Sequence, residues 1–262
     1  MRRIALKHHE FFAAQFAANQ LDLSHNQKDE FRQLWKIYSS RVTATKIEPL
    51  ANLIESFGET NNPAKVAANI QTEITSALHD ACADFSPLVA RLSAEQVTKL
   101  HENLADRNKK FDPNKNGGLI QYRKQRQKDL RSNLEKWLGK ANEAQQKIIL
   151  DLDLQKDPYG QWEQNYLVYS GEAQKAFLSV IQDTLGNPGA FEKKCAHYLK
   201  NQDVFLSAES RKIKSDLAES RGKILESLFQ AADPAQRDHL KRETSKLAND
   251  LRAWAAEVSG ES

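Results

Sequence analysis

Chain-breaking residues are scarce in this sequence: 10 glycines and 7 prolines are spread over 262 residues. With Ala, Leu, Gln, Lys and Glu abundant, that scarcity favours long helices and excludes a β-sandwich or barrel, which needs a turn every few residues. No run of 18 apolar residues occurs, so no segment reads as a membrane-spanning helix. The opening "MRRIALKHHEFFAAQFAANQ" has two arginines but no unbroken apolar stretch, and it does not read as an intact secretory signal. The only cysteines are Cys82 and Cys195, too few for a zinc site. A chain this long does not need a disulfide framework, so two buried thiols are expected, with one long-range disulfide as the alternative. A net charge of +3 is too small to imply a nucleic-acid partner by itself.

The motifs of catalysis are missing too. There is no Gly-rich phosphate loop, no GxSxG and no HExxH. Cys195 and His197, two residues apart, do not face each other on a helix. His8, His9 and Glu10 resemble metal ligands, but adjacent helical residues point about 100° apart, so an exposed first helix is the better reading. In "DPNKNGGLIQYR", Asp112, Asn114, Asn116 and Gly117 match the start of a calcium loop. Its closing position, which needs a bidentate carboxylate, is Arg123, and an interhelical loop is expected instead. The chain is therefore expected to have no catalytic residues, no metal site and no cofactor, and not to be an enzyme.

What is present is a period of 3.6. Phe31, Leu34, Trp35, Tyr38 and Val42 make one apolar stripe, and Val97, Leu100, Leu104 and Phe111 another. Leu130, Leu134, Trp137 and Leu138 form a third; Phe177, Val180, Ile181 and Leu185 a fourth; Leu240, Leu247, Leu251 and Trp254 a fifth. No stretch alternates with period two. The fold class is all-α, an elongated domain of about eight to ten helices with short loops. "ETNNPAK" precedes a helix over 63–83, Pro87 breaks the chain again, and "DPNKNGG" (112–118), "KDPYG" and "LGNPG" mark further loops. We read residues 1–262 as one domain, with 112–118 as the place where two lobes would meet.

Helix starts recur in one form. Ser24 is followed by Gln27, Ser93 by Gln96, Asn142 by Gln145 and Asp233 by Gln236. Each cap side chain can accept a backbone N–H, and each Gln can reach back to the cap's own N–H, a capping box worth about 1 kcal/mol. Ser207 begins a near miss, with Ser210 in place of Gln. The intervals between the four boxes are unequal, which excludes a strict solenoid. Capping boxes occur in any helical protein, so the boxes are first of all structural.

The repeated box resembles the "LTxxQ" motif of the periplasmic Spy/CpxP-like proteins, helical envelope-stress factors with chaperone activity. A longer resemblance covers most of the chain. "LDLSHNQKDEFRQLWKIYSSRV", "LSAEQVTKLHENLADRNKKF" and "RKQRQKDLRSNLEKWLGKANEAQQKII" follow the order and spacing of a bacterial family of outer-membrane lipoproteins of unknown function. Arg107-Asn108 and Trp137-Leu138-Gly139 stand at matching places, and "ADPAQRDHLKRETSKLANDLRAW" looks like the family's closing helix. Ala141-Asn142 departs from the family's Leu-Thr. The resemblance implies an all-helical, non-enzymatic periplasmic protein, anchored by lipid on a cysteine preceding residue 1, that binds a protein or unfolded-polypeptide partner.

One stretch is strongly basic: Arg107 to Lys140 holds eleven Lys/Arg against three Asp/Glu, an excess of 11 − 3 = 8. Arg123, Lys124, Arg126, Lys128 and Arg131 crowd into its middle. The strip could meet an anionic lipid surface or nucleic-acid phosphates. It could equally be a solvated face whose charge is balanced by acids nearby in space. The rival functional expectation is thus a cytoplasmic nucleic-acid-binding adaptor that uses these five residues.

Overall fold

The computed structural model describes residues 9–109, 118–151 and 162–260, without the side chains of residues 119, 122, 123, 126, 162–164 and 166. His8, the calcium-like loop through Gly117 and the "KDPYG" loop lie outside the described residues. Among the described residues there are ten α-helices: α1 (His9–Leu21), α2 (His25–Phe57), α3 (Pro63–Val89), α4 (Ala94–Asn108), α5 (Leu119–Leu138), α6 (Glu143–Asp151), α7 (Trp162–Gln182), α8 (Pro188–Lys200), α9 (Ala208–Gln230) and α10 (Pro234–Ser259). A short 3₁₀ turn, Gln202–Phe205, joins α8 to α9. There is no strand among the described residues, and the fold is an all-α multi-helix domain.

Local chemistry sets these boundaries. Pro63 and Pro188 open α3 and α8 where a missing N–H costs nothing, and Asn62 and Asn187 cap the same helices through Lys65 N (3.0 Å) and Ala190 N (3.0 Å). Pro87 does not break the chain where expected: α3 runs on to Val89. A helical proline strips the carbonyl four residues earlier of its donor, and here the Ser86 hydroxyl donates to Ala83 O at 2.9 Å in its place. Gly139 ends α5 at φ 78°, a left-handed backbone that suits glycine, with its N–H on Glu135 O at 2.9 Å.

Two hydrophobic clusters form the interior. The first gathers Phe31, Leu88, Val97, Ile181, Phe191 and Tyr198 from α2, α3, α4, α7 and α8. The second gathers Leu134, Leu138, Ile149, Leu228, Phe229 and Leu240 from α5, α6, α9 and α10. Helix α2 serves both, since Phe31 sits in the first cluster and Phe57 packs on the second. It packs along α10, α3 and α1. Arg252 of α10 ties these long helices together, donating to Glu48 (3.0 Å), Glu55 (2.8 Å) and Asn52 (2.8 Å) of α2. Those bonds hold the Glu55 carboxyl below its ordinary range.

The two cysteines are bonded to each other, not free: Cys82 of α3 and Cys195 of α8 form a disulfide with Cα atoms 5.8 Å apart. Both are buried in the first cluster. The chain-length argument that favoured free thiols concerns whether a bridge is needed, and the packing of α3 on α8 brings the pair together regardless.

Helices α2 and α10 come close where Gly58 caps α2. A methyl group there would stand 2.4 Å from Thr244 Oγ1 and 3.0 Å from Lys241 Cα. Thr244 is buried and its hydroxyl already donates to Leu240 O at 3.0 Å, so it has no easy retreat. Gly58→Ala is expected to cost about 1–3 kcal/mol by overpacking, read as a lower urea midpoint at unchanged slope. An unchanged midpoint would mean that the helices do not meet so closely.

Candidate functional site

The four glutamine-bearing helix starts come together in pairs. In the first pair, Gln27 Oε1 accepts from Ser24 N (3.0 Å) while Gln27 N donates to Ser24 Oγ (3.4 Å); Gln96 and Ser93 repeat the arrangement at 3.0 and 3.2 Å. The two amides then face each other. Gln96 Nε2 donates to Gln27 Oε1 at 2.8 Å, and Gln27 Nε2 donates to Gln96 Oε1 at 3.1 Å. Gln96 Nε2 also donates to Asp22 O (3.0 Å), where the chain leaves α1. So the starts of α2 and α4 and the end of α1 share one hydrogen-bonded knot.

The second pair joins α6 to α10. Gln145 Oε1 accepts from Asn142 N (3.1 Å), and Gln236 Oε1 from Asp233 N (3.2 Å). Gln236 Nε2 donates to Gln145 Oε1 (2.8 Å) and Lys140 O (2.8 Å), while Gln145 Nε2 donates to Leu228 O (3.1 Å). The cap Asn142 uses what a serine lacks: its Nδ2 donates to Ala231 O (2.8 Å) and Gln236 Oε1 (3.1 Å). Gln145 is fully buried and Gln236 nearly so, whereas Gln27 and Gln96 are half-buried. Every polar atom of the Gln145 and Gln236 amides thus has a partner, as a buried polar network requires.

Ser207 completes the pattern by another route. Its hydroxyl accepts from Ser210 N at 3.1 Å, but no glutamine follows to take its own N–H. Glu172 of α7 takes it instead, at 2.8 Å. That bond, with the neighbouring hydroxyls and Arg211, holds the Glu172 carboxyl below its usual range. The eight residues of the four boxes fasten helix ends to one another, and the contact across each pair is amide to amide.

The basic strip lies on α5. Arg123 and Arg126 have side chains outside the described residues. Lys124 and Lys128 are exposed and Arg131 is half-buried. None of these three makes an ion pair with a described residue, unlike Arg41, Arg91 and Arg252, which bind Asp84, Glu30 and Glu55. The one acid within this part of the strip, Asp129, accepts from Gln125 at 2.8 Å.

The sequence points to a partly exposed first helix but does not say which face α1 buries. Ala14, Ala17 and Ala18 face the first cluster, while Phe11, Phe12 and Phe16 point outward at 59%, 52% and 60% exposure. Phe11 and Phe12 pack edge to face, ring centres 5.7 Å apart. Helix α1 lies against both α2 and α4, and small alanines allow that approach. The signal was the inverse spacing of Ala and Phe within "FFAAQFAA", which a rule of large residues inward misreads.

His9 begins this helix, and among the described residues no group of three or more His, Cys, Asp or Glu side chains is placed to hold a metal. Its Nδ1 accepts from Trp35 Nε1 at 2.7 Å, and its ring meets Trp254 edge-on at 5.2 Å. Burial there lowers its pKa below the ordinary 6.5, against a smaller opposing effect of Glu10. A depressed histidine pKa contributes stability that is present above the unfolded value and is lost as pH falls through the folded value. Acidification from about pH 7 to about pH 5 is therefore expected to loosen α1 and change tryptophan emission. The change should be absent in His9→Gln.

The geometry defines a helical protein whose helix starts are fastened in pairs and which exposes an aromatic helix face. The chain belongs to DUF6279, a family of unknown function, whose model matches residues 19–211. The match takes in the boxes at Ser24, Ser93 and Asn142 and ends before that at Asp233. No curated protein and no solved structure matches the chain.

Proposed function

We propose that this is a non-enzymatic cell-envelope protein, held by lipid in its native form, that binds apolar segments of unfolded or partly folded polypeptides. The observation that carries the binding is the outward aromatic face of α1. Three exposed phenylalanines on one short helix exceed the scattered apolar residues of an ordinary surface and support reading it as an interaction site. Aromatic side chains offer large contact area at low entropic cost to partners of varied sequence.

The compartment rests on two supports. Sequence resemblance to outer-membrane lipoproteins and to Spy/CpxP-like factors favours the periplasm, and a buried disulfide suits an oxidising compartment. No helix among the described residues is long and apolar enough to cross a membrane, so attachment by lipid would be the tether.

The test is suppression of aggregation of a reduced model client. Wild-type protein at stoichiometric ratio should delay aggregation severalfold, and Phe11→Ser/Phe12→Ser/Phe16→Ser should lose most of that delay. Because the three side chains are exposed, the variant should keep its unfolding free energy within about 0.5 kcal/mol per substitution. A wild-type protein that leaves the client unprotected would sink the proposal.

A further inference from the structure

A second apolar feature lies in the other cluster and differs in kind. A cleft of about 480 Å³ opens between the ends of α2 and α9, the start of α3, and helices α5 and α10. Ile54, Phe57, Ile70, Leu134, Trp137 and Leu225 make most of its wall. Its volume falls in the range of roughly 300–1,000 Å³ that holds small ligands. Apart from the indole N–H of Trp137, only Asn133 and Thr244 bring polar side-chain groups to the lining, and the Thr244 hydroxyl is already bonded to Leu240 O and Lys241 O.

That wall disfavours a peptide as occupant, since backbone N–H and C=O groups entering it would lose water and gain no partner. It suits a plain hydrocarbon chain. Polar recognition stands beside it on the same helix. Leu130, Leu134 and Trp137 form the row of α5 that faces the cleft. Arg131, three residues before Leu134, stands at the edge of that row, and Lys124 and Lys128 continue from Arg131 on the side of the helix turned away from the cleft. These cations have no acidic partner among the described residues. The Arg131 Nε is buried without a hydrogen-bond partner among them, an arrangement that is costly unless an acceptor arrives.

We infer that the cleft takes the acyl chain of a single-chain anionic amphipath, with its charged head held at the edge by Arg131 in the positive field of Lys124 and Lys128. A neutral sterol-like ligand would leave these cations unused, and a cationic amphipath would be repelled. The site is separate from the phenylalanine face of α1, so it stands or falls apart from the polypeptide-binding proposal.

Calorimetric titration with laurate, dodecanol and dodecyltrimethylammonium, each below its micellar concentration, tests the inference. Brominated laurate adds a contact reading through quenching of tryptophan emission. Laurate should bind about tenfold or more tighter than the cationic amphipath, and Lys128→Gln/Arg131→Gln should weaken it by about tenfold. Trp137→Phe should remove most of the quenching while retaining binding, and Ala67→Trp, which fills the cleft from α3, should abolish binding. If Ala67→Trp does not fold, the Lys128/Arg131 variant, altered only at exposed and half-buried positions, carries the test. Lysophosphatidylglycerol run in parallel tells a phospholipid head from a free carboxylate, and tight binding of either supports the site. Equal affinity for anionic and cationic amphipaths, no binding of either anion, or displacement of laurate by a random oligonucleotide at low salt would overturn it. The Phe11/Phe12/Phe16 serine variant should bind laurate as the wild type does.

Discussion

Replacing both cysteines, Cys82→Ala with Cys195→Ala, is expected to lower the unfolding free energy by about 4 kcal/mol. The bridge closes a loop with sequence separation 113, and the loss of chain entropy in the unfolded state grows with loop length to roughly that figure. The two residues also sit in the first cluster beside Leu88, Phe191 and Tyr198. Truncating the sulfurs would therefore add a modest packing loss to the lost crosslink. Urea denaturation of the oxidised protein with and without reductant separates the two effects, because reduction alone leaves the packing volume nearly unchanged. Oxidised and reduced midpoints that coincide would mean that the cysteines act as two independent core thiols, as chain length alone suggested.

The second large effect is expected at the buried amide pair. Gln145→Leu removes three side-chain hydrogen bonds at once and strands the Leu228 carbonyl, the Asn142 N–H and one donor of Gln236. Unsatisfied buried groups cost about 1–3 kcal/mol each when water cannot reach them. With partial relaxation, a total of about 3 kcal/mol is expected. The same change at Gln27 should cost nearer 1 kcal/mol, the ordinary value of a cap, because the first knot is half-buried and water can replace the lost partner. A double-mutant cycle over Gln145 and Gln236 should show coupling above about 0.5 kcal/mol, since each is the other's partner. Equal costs at Gln27 and Gln145 would mean that burial does not distinguish the two knots.

This contrast shows what can be read from one chain. Each capping box is legible in the sequence because cap and glutamine lie three residues apart and need no other element. Their pairing is not legible. Whether Gln27 meets Gln96, or Gln145 meets Gln236, depends on where long helices bring their ends, and the unequal intervals carry no register. The all-α class was visible for the same local reason, through stripes such as Phe31 to Val42. Helix α3 outran the break expected at Pro87 because the Ser86 hydroxyl donates to the carbonyl that proline leaves unserved. From sequence the disulfide stands only as the alternative to free thiols, because sequence can ask whether a bridge is needed but not whether α3 and α8 touch.

The surfaces divide in the same way. The charge of the strip on α5 was plain from composition, but the lack of acidic partners for Lys124, Lys128 and Arg131 among the described residues is a fact of packing. The α1 face is not assigned from sequence, and its phenylalanines occupy the side that tight alanine packing turns outward. Contact specificity on that face is what separates a binding helix from an incidental one.

Site-specific photo-crosslinking tests the proposed function most directly. A benzoylphenylalanine replacing Phe16 on α1, and another replacing exposed Val168 on α7 as control, are each irradiated with a reduced, unfolding client. The account expects client adducts from position 16, strongly diminished once the client has refolded, and few from position 168. Equal adduct yields from both positions, or none from position 16 while client is still protected from aggregation, would contradict it.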